Sequence, residues 1–262
     1  TYGFGTFIWA PFSTFLMEKM SVLWTLATLG IIFFLIMIPV SFLIKSIPKK
    51  PISIDENTNV QISPSSPRDY TWQEMLRSYR YYILLFTMIL ATTAGLMVTG
   101  HASGILQENI GLSPASAAFF VGMFSISNTA GRLIFGPLSD FIGRYQTMMI
   151  EFALVCSAML MLYFLDGNFF ILAMFMVSAC HGGFAAILSP VCADNFGLKN
   201  HAVNYTFLFI AYGFSGIIGP QLGARIRDIT GNYDYGFLTV AVLAVIGFSL
   251  VLFLQLKKQR SS

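Results

Sequence analysis

The chain has 262 residues, of which 56% are hydrophobic and only 10% charged, and its mean hydropathy is +0.71. Soluble domains carry about 25% charged residues, so the composition excludes a water-covered globular protein and implies a surface facing a lipid bilayer. The net charge of +3 is too small to mark a nucleic-acid-binding protein, and no nucleic acid is expected as a partner.

In chain order, apolar runs near the roughly 20 residues that cross a bilayer fall at about 2–17, 21–45, 80–105, 114–138, 145–166, 168–193, 202–224 and 234–256. The expected class is an all-α membrane protein. The first run already opens at Thr1, inside TYGFGTFIWAPF, and reads as a fragment preceded by further helices. Residues 46–79 interrupt the pattern. They are rich in Pro, Ser, Asn and charge and read as a flexible linker. Near its end Thr71 precedes Glu74 by three residues, a capping-box spacing that predicts a short amphipathic helix leading into the third run.

His101, in the third run, and His181, in the sixth, are candidates for proton coupling, beside the plainer reading as hydrogen-bonded packing residues. The fourth run carries Arg132 past its middle. A guanidinium stays charged, presents five donors in a planar fork and is costly to expose to lipid. Arg132 is expected to face a cavity and capture a substrate carboxylate in bidentate fashion. The alternative is a structural arginine that snorkels to the interface or pairs with the next loop. That loop places Asp140 and Arg144 four residues apart across a turn, as an ion-paired latch would need. Glu151 is expected to pair with Arg144 or Arg132 as part of it, with carrying a proton as the alternative. Gly213, Gly216 and Gly219, followed by Pro220, recur at three-residue spacing and predict a face for close helix packing. Cys156, Cys180 and Cys192 form no CxxC, and no His, Cys, Asp and Glu set has metal-ligand spacing, so neither metal nor cofactor is expected. No catalytic acid and base pair is visible, so an enzyme is not expected.

Lys and Arg set the orientation. Eleven lie on the side of the linker and tail (Lys45, Lys49, Lys50, Arg68, Arg77, Arg80, Arg144, Lys199, Lys257, Lys258 and Arg260), and three lie opposite (Lys19, Arg225 and Arg227). The linker and C-terminus are therefore expected in the cytoplasm, with the protein spanning the plasma membrane. The implied organisation is 1–45 as the end of one half, 46–79 as a linker, 80–257 as a six-helix half and 258–262 as a tail. A six-helix unit behind a long loop fits the second half of a two-halved transporter.

The loop Gly136-x-Leu138-Ser139-Asp140-x-x-Gly143-Arg144 matches at six positions the G-x-L-[AS]-D-x-x-G-R that the major facilitator superfamily carries between its helices 2 and 3 and again between 8 and 9. The chain resembles that superfamily. The resemblance implies its helical bundle, with these runs as helices 5 to 12, and a gating role for Gly136, Asp140, Gly143 and Arg144. Within it, the oxalate/formate antiporter and monocarboxylate branch is the nearer likeness. Gly3-Phe4-Gly5 with Pro11, Thr93-Ala94-Gly95-Leu96-Met97, Asn128-x-x-Gly131-Arg132, Asp194-Asn195-Phe196-Gly197, Asn204-Tyr205, Ala211-Tyr212-Gly213 and Gly219-Pro220 carry it. In the oxalate transporter the arginine matching Arg132 binds substrate, and a lysine of helix 11 supplies a second cation. Tyr212 stands at that lysine's place here. One arginine cannot compensate two desolvated carboxylates. Asn128, Arg132 and Tyr212 therefore imply a small monocarboxylate such as lactate, pyruvate or formate, moved with a co-transported proton or against an exchanged anion. Aromatic packing is the plainer reading of Tyr212. A membrane sensor or scaffold of the same fold, or a carrier of a dicarboxylate or neutral solute, are the alternatives.

Overall fold

The computed structural model describes residues 5–43 and 68–259, and among them the regular elements are nine α-helices. These are α1 (Gly5–Lys19), α2 (Val22–Leu43), α3 (Trp72–Leu76), α4 (Tyr79–Ile110), α5 (Pro114–Ile142), α6 (Arg144–Phe164), α7 (Gly167–Phe196), α8 (His201–Thr230) and α9 (Asp234–Gln259). The chain separates into two compact units, with α2 in one and α3 to α9 in the other. α2 has no charged residue along its 22 positions. α1 has 15 residues, short of the about 20 that a crossing needs. Among the described residues, seven helices, α2 and α4 to α9, are long and apolar enough to cross a membrane. Of the linker expected at 46–79, residues 46–67 lie outside the described residues.

Five of the six long helices of the larger unit outlast the apolar runs that announce them, and α6 stops at Phe164, just short of the expected 166. α4 continues to Ile110 and α8 to Thr230, beyond the expected ends at 105 and 224. Hydropathy marks where lipid ends, whereas a helix ends where its last carbonyls find other partners. Gly111 (φ 71°) and Gly231 (φ 81°) supply those stops with the left-handed conformation that other residues adopt at a cost.

α4 packs on α8, α5 on α7 and α6 on α9, while α7 also touches α4 and α6. Lipid is as apolar as leucine, so association in a membrane relies on close packing of small residues rather than on a hydrophobic drive. The α5–α7 crossing shows this most clearly. A Cβ at Gly131 would fall on the carbonyl of Ala179, and one at Gly182 would fall on the carbonyl of Asn128. The two backbones therefore meet directly. Ser178 and Ser127 hydroxyls donate across the same seam to the carbonyls of Phe124 (2.6 Å) and Phe175 (2.8 Å). On α8 the seam differs from expectation. Gly213 and Gly216 face open space, and the face against α4 is Ala211, Ser215, Gly219 and Gly223. Its spacing is four residues after Ala211, which follows the i,i+4 ridge of a helix better than a repeat of three. Outward, the unit exposes Leu133, Ile134, Phe141, Phe164 and Ile217, as a lipid-facing surface requires.

The end of the expected linker is a docked strap. Thr71 and Glu74 form the capping box that opens α3. Tyr70 N–H donates to the carbonyl of Phe196 (2.9 Å), and Asn200 and Asn204 amides both donate to the carbonyl of Tyr70 (3.0 Å each). Asp69 accepts from the N–H of Lys199 (3.1 Å), and Trp72 stacks on Phe207. The Thr71 N–H and hydroxyl, with Arg68, hold the Glu74 carboxyl below the usual carboxylate range. A folded state that favours the carboxylate gains from it at neutral pH and loses that gain as pH falls through the carboxylate range.

Two outcomes follow from this packing. Gly131→Ala is expected to destabilise by about 1–3 kcal/mol, the usual cost of overpacking, while Gly216→Ala leaves thermal unfolding in detergent unchanged or raises its midpoint. Hydrogen-exchange protection of the 71–76 amides is expected to drop in Glu74→Gln at neutral pH, and in the wild type only on acidification.

Candidate functional site

The midpoint of α5 (Pro114–Ile142) is residue 128, so Arg132 lies four residues, or roughly 6 Å at about 1.5 Å per residue, beyond it. Its Nε donates to Asn128 Oδ1 (3.2 Å), one turn earlier on the same helix. A guanidinium can only donate, so the amide oxygen of Asn128 faces it and the amide nitrogen faces away. That nitrogen donates to the carbonyl of Ser178 on α7 (3.2 Å). Asn128 is therefore engaged on both sides, with the α7 backbone and with Arg132.

His181 of α7 joins the two expected binding residues. It lies within electrostatic reach of Arg132, and its ring packs on Tyr212 of α8 with centroids 5.9 Å apart. A Cβ at Gly95 of α4 would overlap the imidazole, so only glycine leaves that ring its place. Nδ1 of His181 has no hydrogen-bond partner among the described residues. Tyr212 in turn begins an aromatic stripe along α8. Its ring stacks on Phe209 at 5.0 Å, Phe209 meets Tyr205 at 5.6 Å, and Tyr205 meets His201 at 5.8 Å. Arg132 is also within electrostatic reach of Tyr205. Sequence reasoning missed the stripe, although the i, i+4, i+8, i+11 spacing of aromatic rings was visible.

His101 sits toward the other end of α4. Its Nε2 is 2.8 Å from the carbonyl of Pro220, which can only accept, so Nε2 carries the proton and Nδ1 faces the Tyr233 hydroxyl at 3.4 Å. Both nitrogens are thus engaged in tying α4 to α8 and to the turn before α9. Burial raises the Tyr233 phenol above its ordinary range. The ion pair of Arg227 with Glu108 closes the same end.

At the opposite end, Gly143 links α5 to α6 with φ 102°, a conformation favouring glycine. The turn brings Arg144 to Asp140 (2.5 Å), to the Ser139 hydroxyl (2.5 Å) and across to Asp194 of α7 (3.2 Å). Ser139 donates onward to the carbonyl of Gly136 (2.6 Å), and Tyr145 donates to Asn195 (2.7 Å). Asp194 and Asn195 had been noted only as part of a family likeness, and they are the partners that extend the cluster to a second helix.

Glu151 is not part of this cluster. It lies seven residues into α6, roughly 10 Å from the helix start at about 1.5 Å per residue, and is fully buried. Its carboxylate occupies the space that a side chain at Gly183 would fill, and neither oxygen accepts a hydrogen bond from a described residue. The expected pairing with Arg144 or Arg132 is replaced by burial in the α6–α7 interface, because the helix turns Glu151 inward while Arg144 reaches along the surface.

Residues 84–262 match the family model described as Major Facilitator Superfamily. The chain is 30% identical over 219 residues to the uncharacterized MFS-type transporter YhjX of Escherichia coli (strain K12), covering 83% of this chain and 53% of that protein. It is 29% identical over 189 residues to the oxalate:formate antiporter of Oxalobacter formigenes, covering 71% and 45%. It is 23% identical over 237 residues to monocarboxylate transporter 10 of Danio rerio, covering 88% and 46%. The chain spans about half the length of these relatives.

Removing Arg144 breaks contacts to two helices at once but leaves both aspartates with access to water. Arg144→Gln is therefore expected to cost about 1 kcal/mol in thermal unfolding, as exposed ion pairs give roughly 0.2–1 kcal/mol each. Asp194→Asn is expected to cost less, since the contact with Asp140 survives.

Proposed function

The chain belongs to the Major Facilitator Superfamily, and on that premise we propose that it is part of a secondary active transporter of a small organic anion, a monocarboxylate of the lactate, pyruvate or formate type. The observation that carries this reading is Arg132, aimed by Asn128 beside His181 and Tyr212. With Nε turned toward Asn128, the Nη1–Nη2 edge of the guanidinium takes the substrate carboxylate in two parallel hydrogen bonds. The Tyr212 hydroxyl offers a neutral donor to a carbonyl or hydroxyl oxygen of the same molecule. Tyr212 and His181, rather than a lysine, stand beside the arginine, which favours one negative charge over two. The similarity to an oxalate:formate antiporter and to a monocarboxylate transporter supports a carboxylate as the transported group.

Transport proceeds by alternating access. The cluster of Asp140, Arg144 and Asp194, with Gly136 in the last turns of α5 and Gly143 at the turn, holds the ends of α5 and α7 together in this conformation and opens in the other. The coupled partner is a proton or an exchanged anion. His181 is the proton candidate, because it adjoins the arginine, whereas both nitrogens of His101 serve packing. The excess of basic residues at the latch end supports a cytoplasmic position for that end, the linker and the tail, in a protein of the plasma membrane.

Uptake of labelled lactate, pyruvate and formate by cells producing the intact protein tests this. Arg132→Lys keeps the charge and loses the fork, so the apparent KM is expected to rise about 10- to 100-fold, the equivalent of roughly 1.5–3 kcal/mol for a hydrogen bond to a charged group. Arg132→Ala is expected to abolish uptake. Wild-type affinity in both variants removes the arginine from the binding site.

A further inference from the structure

A cavity of ≈ 440 Å³ opens at the latch end of the six-helix unit, away from Arg132 and Tyr212. Its size is within the about 300–1,000 Å³ of small-molecule sites. Four cations line it, Arg80, Arg144, Lys257 and Lys258, against two anions, Asp140 and Asp194, so four less two leaves a net charge of +2. Both aspartates pair with Arg144. The positive excess therefore lies on the wall made by the start of α4 and the end of α9.

That wall is ordered by aromatic rings. The Lys257 ammonium sits 3.9 Å from the centroid of Tyr79, and that of Lys258 sits 5.8 Å from Tyr145. Such cation–π contacts hold an ammonium in place. Arg80 Nε donates to the Tyr79 hydroxyl (3.4 Å). The first turn of α6 also lines the cavity, and Gly143 offers no side chain to cap it, so its N–H groups add the positive end of a helix. Charge and donors of this kind suit a phosphate. The position selects among phosphates. The cavity lies where the spanning helices end, at headgroup depth. Phe253, one turn inward from Lys257 on the same face of α9, presents an exposed apolar ring beside it.

We propose that this cavity is a binding site for the phosphate headgroup of an anionic phospholipid, with Arg80, Lys257 and Lys258 holding the charge and Phe253 bordering the acyl chains. Basic pockets between membrane helices are a known physical solution for anionic headgroups, at about 1 kcal/mol per basic residue near the surface. The bound lipid would brace α4, α6 and α9 beside the latch.

The test is native mass spectrometry and thermal unfolding of the intact protein in detergent, titrated with phosphatidylglycerol, phosphatidylcholine or inorganic phosphate. Phosphatidylglycerol is expected to bind and to raise the unfolding midpoint above that in phosphatidylcholine. Lys257→Gln with Lys258→Gln is expected to weaken phosphatidylglycerol binding about 30-fold, or fivefold per lysine. Arg80→Gln is a second, independent variant, expected to lose about fivefold. Wild-type phosphatidylglycerol affinity in whichever of these variants fold overturns the site. Stabilisation by inorganic phosphate equal to that by phosphatidylglycerol overturns the lipid assignment in favour of a soluble anion.

Discussion

Direct contact between the backbones of α5 and α7 at Gly131 and Gly182 is the constraint from which the rest of the unit is built. With no side chain between them, Asn128 reaches the Ser178 carbonyl across the seam while its other face steers Arg132. A spacing wider by one methyl group would break the first contact and leave the guanidinium without its guide. The same closeness puts His181, next to Gly182 in the chain, beside the arginine and against Tyr212. The helix pair thus carries its charged group midway along and its ion-pair cluster at one end, joined through Arg144 to Asp194. Since both features ride on the same two backbones, a change at one end of the pair is felt at the other as a rigid displacement rather than through a chain of loose contacts.

Much of the architecture was legible in the sequence, because a bilayer imposes a length and a polarity that few other environments impose. The seven spanning helices, the capping box at Thr71 and Glu74 and the Gly–Asp–Gly–Arg turn all follow from local rules. Helix ends were misjudged because hydropathy reports lipid and not the cap. Glu151 was assigned to the latch on nearness along the chain, whereas rotation about α6 decides its neighbours. Gly213 and Gly216 were read as a packing face from their repeat, yet the seam runs through Ala211, Ser215, Gly219 and Gly223. The pairing of Arg144 with Asp194 depends on a contact between helices distant in sequence, which a single chain's pattern does not encode, whereas the aromatic stripe on α8 is a spacing within one helix that the sequence displays.

The electrostatic layout of the unit is uneven. One end carries an ion-pair cluster beside a basic cavity, and the other is closed by Arg227 with Glu108 and by the hydrogen bonds of His101. Ion pairs exposed to water are individually weak and exchange readily with water and salt. Buried hydrogen bonds to backbone carbonyls are dearer to break.

The strap at residues 68–76 has a mechanical meaning. Because Asp69 and Tyr70 are fastened to the α7–α8 turn and Trp72 to α8, the chain entering the unit is anchored there, several residues before α4 begins. Tension on the chain ahead of residue 68 is borne by the turn that joins α7 to α8, so a pull from that direction would be delivered to those two helices before it could reach α4.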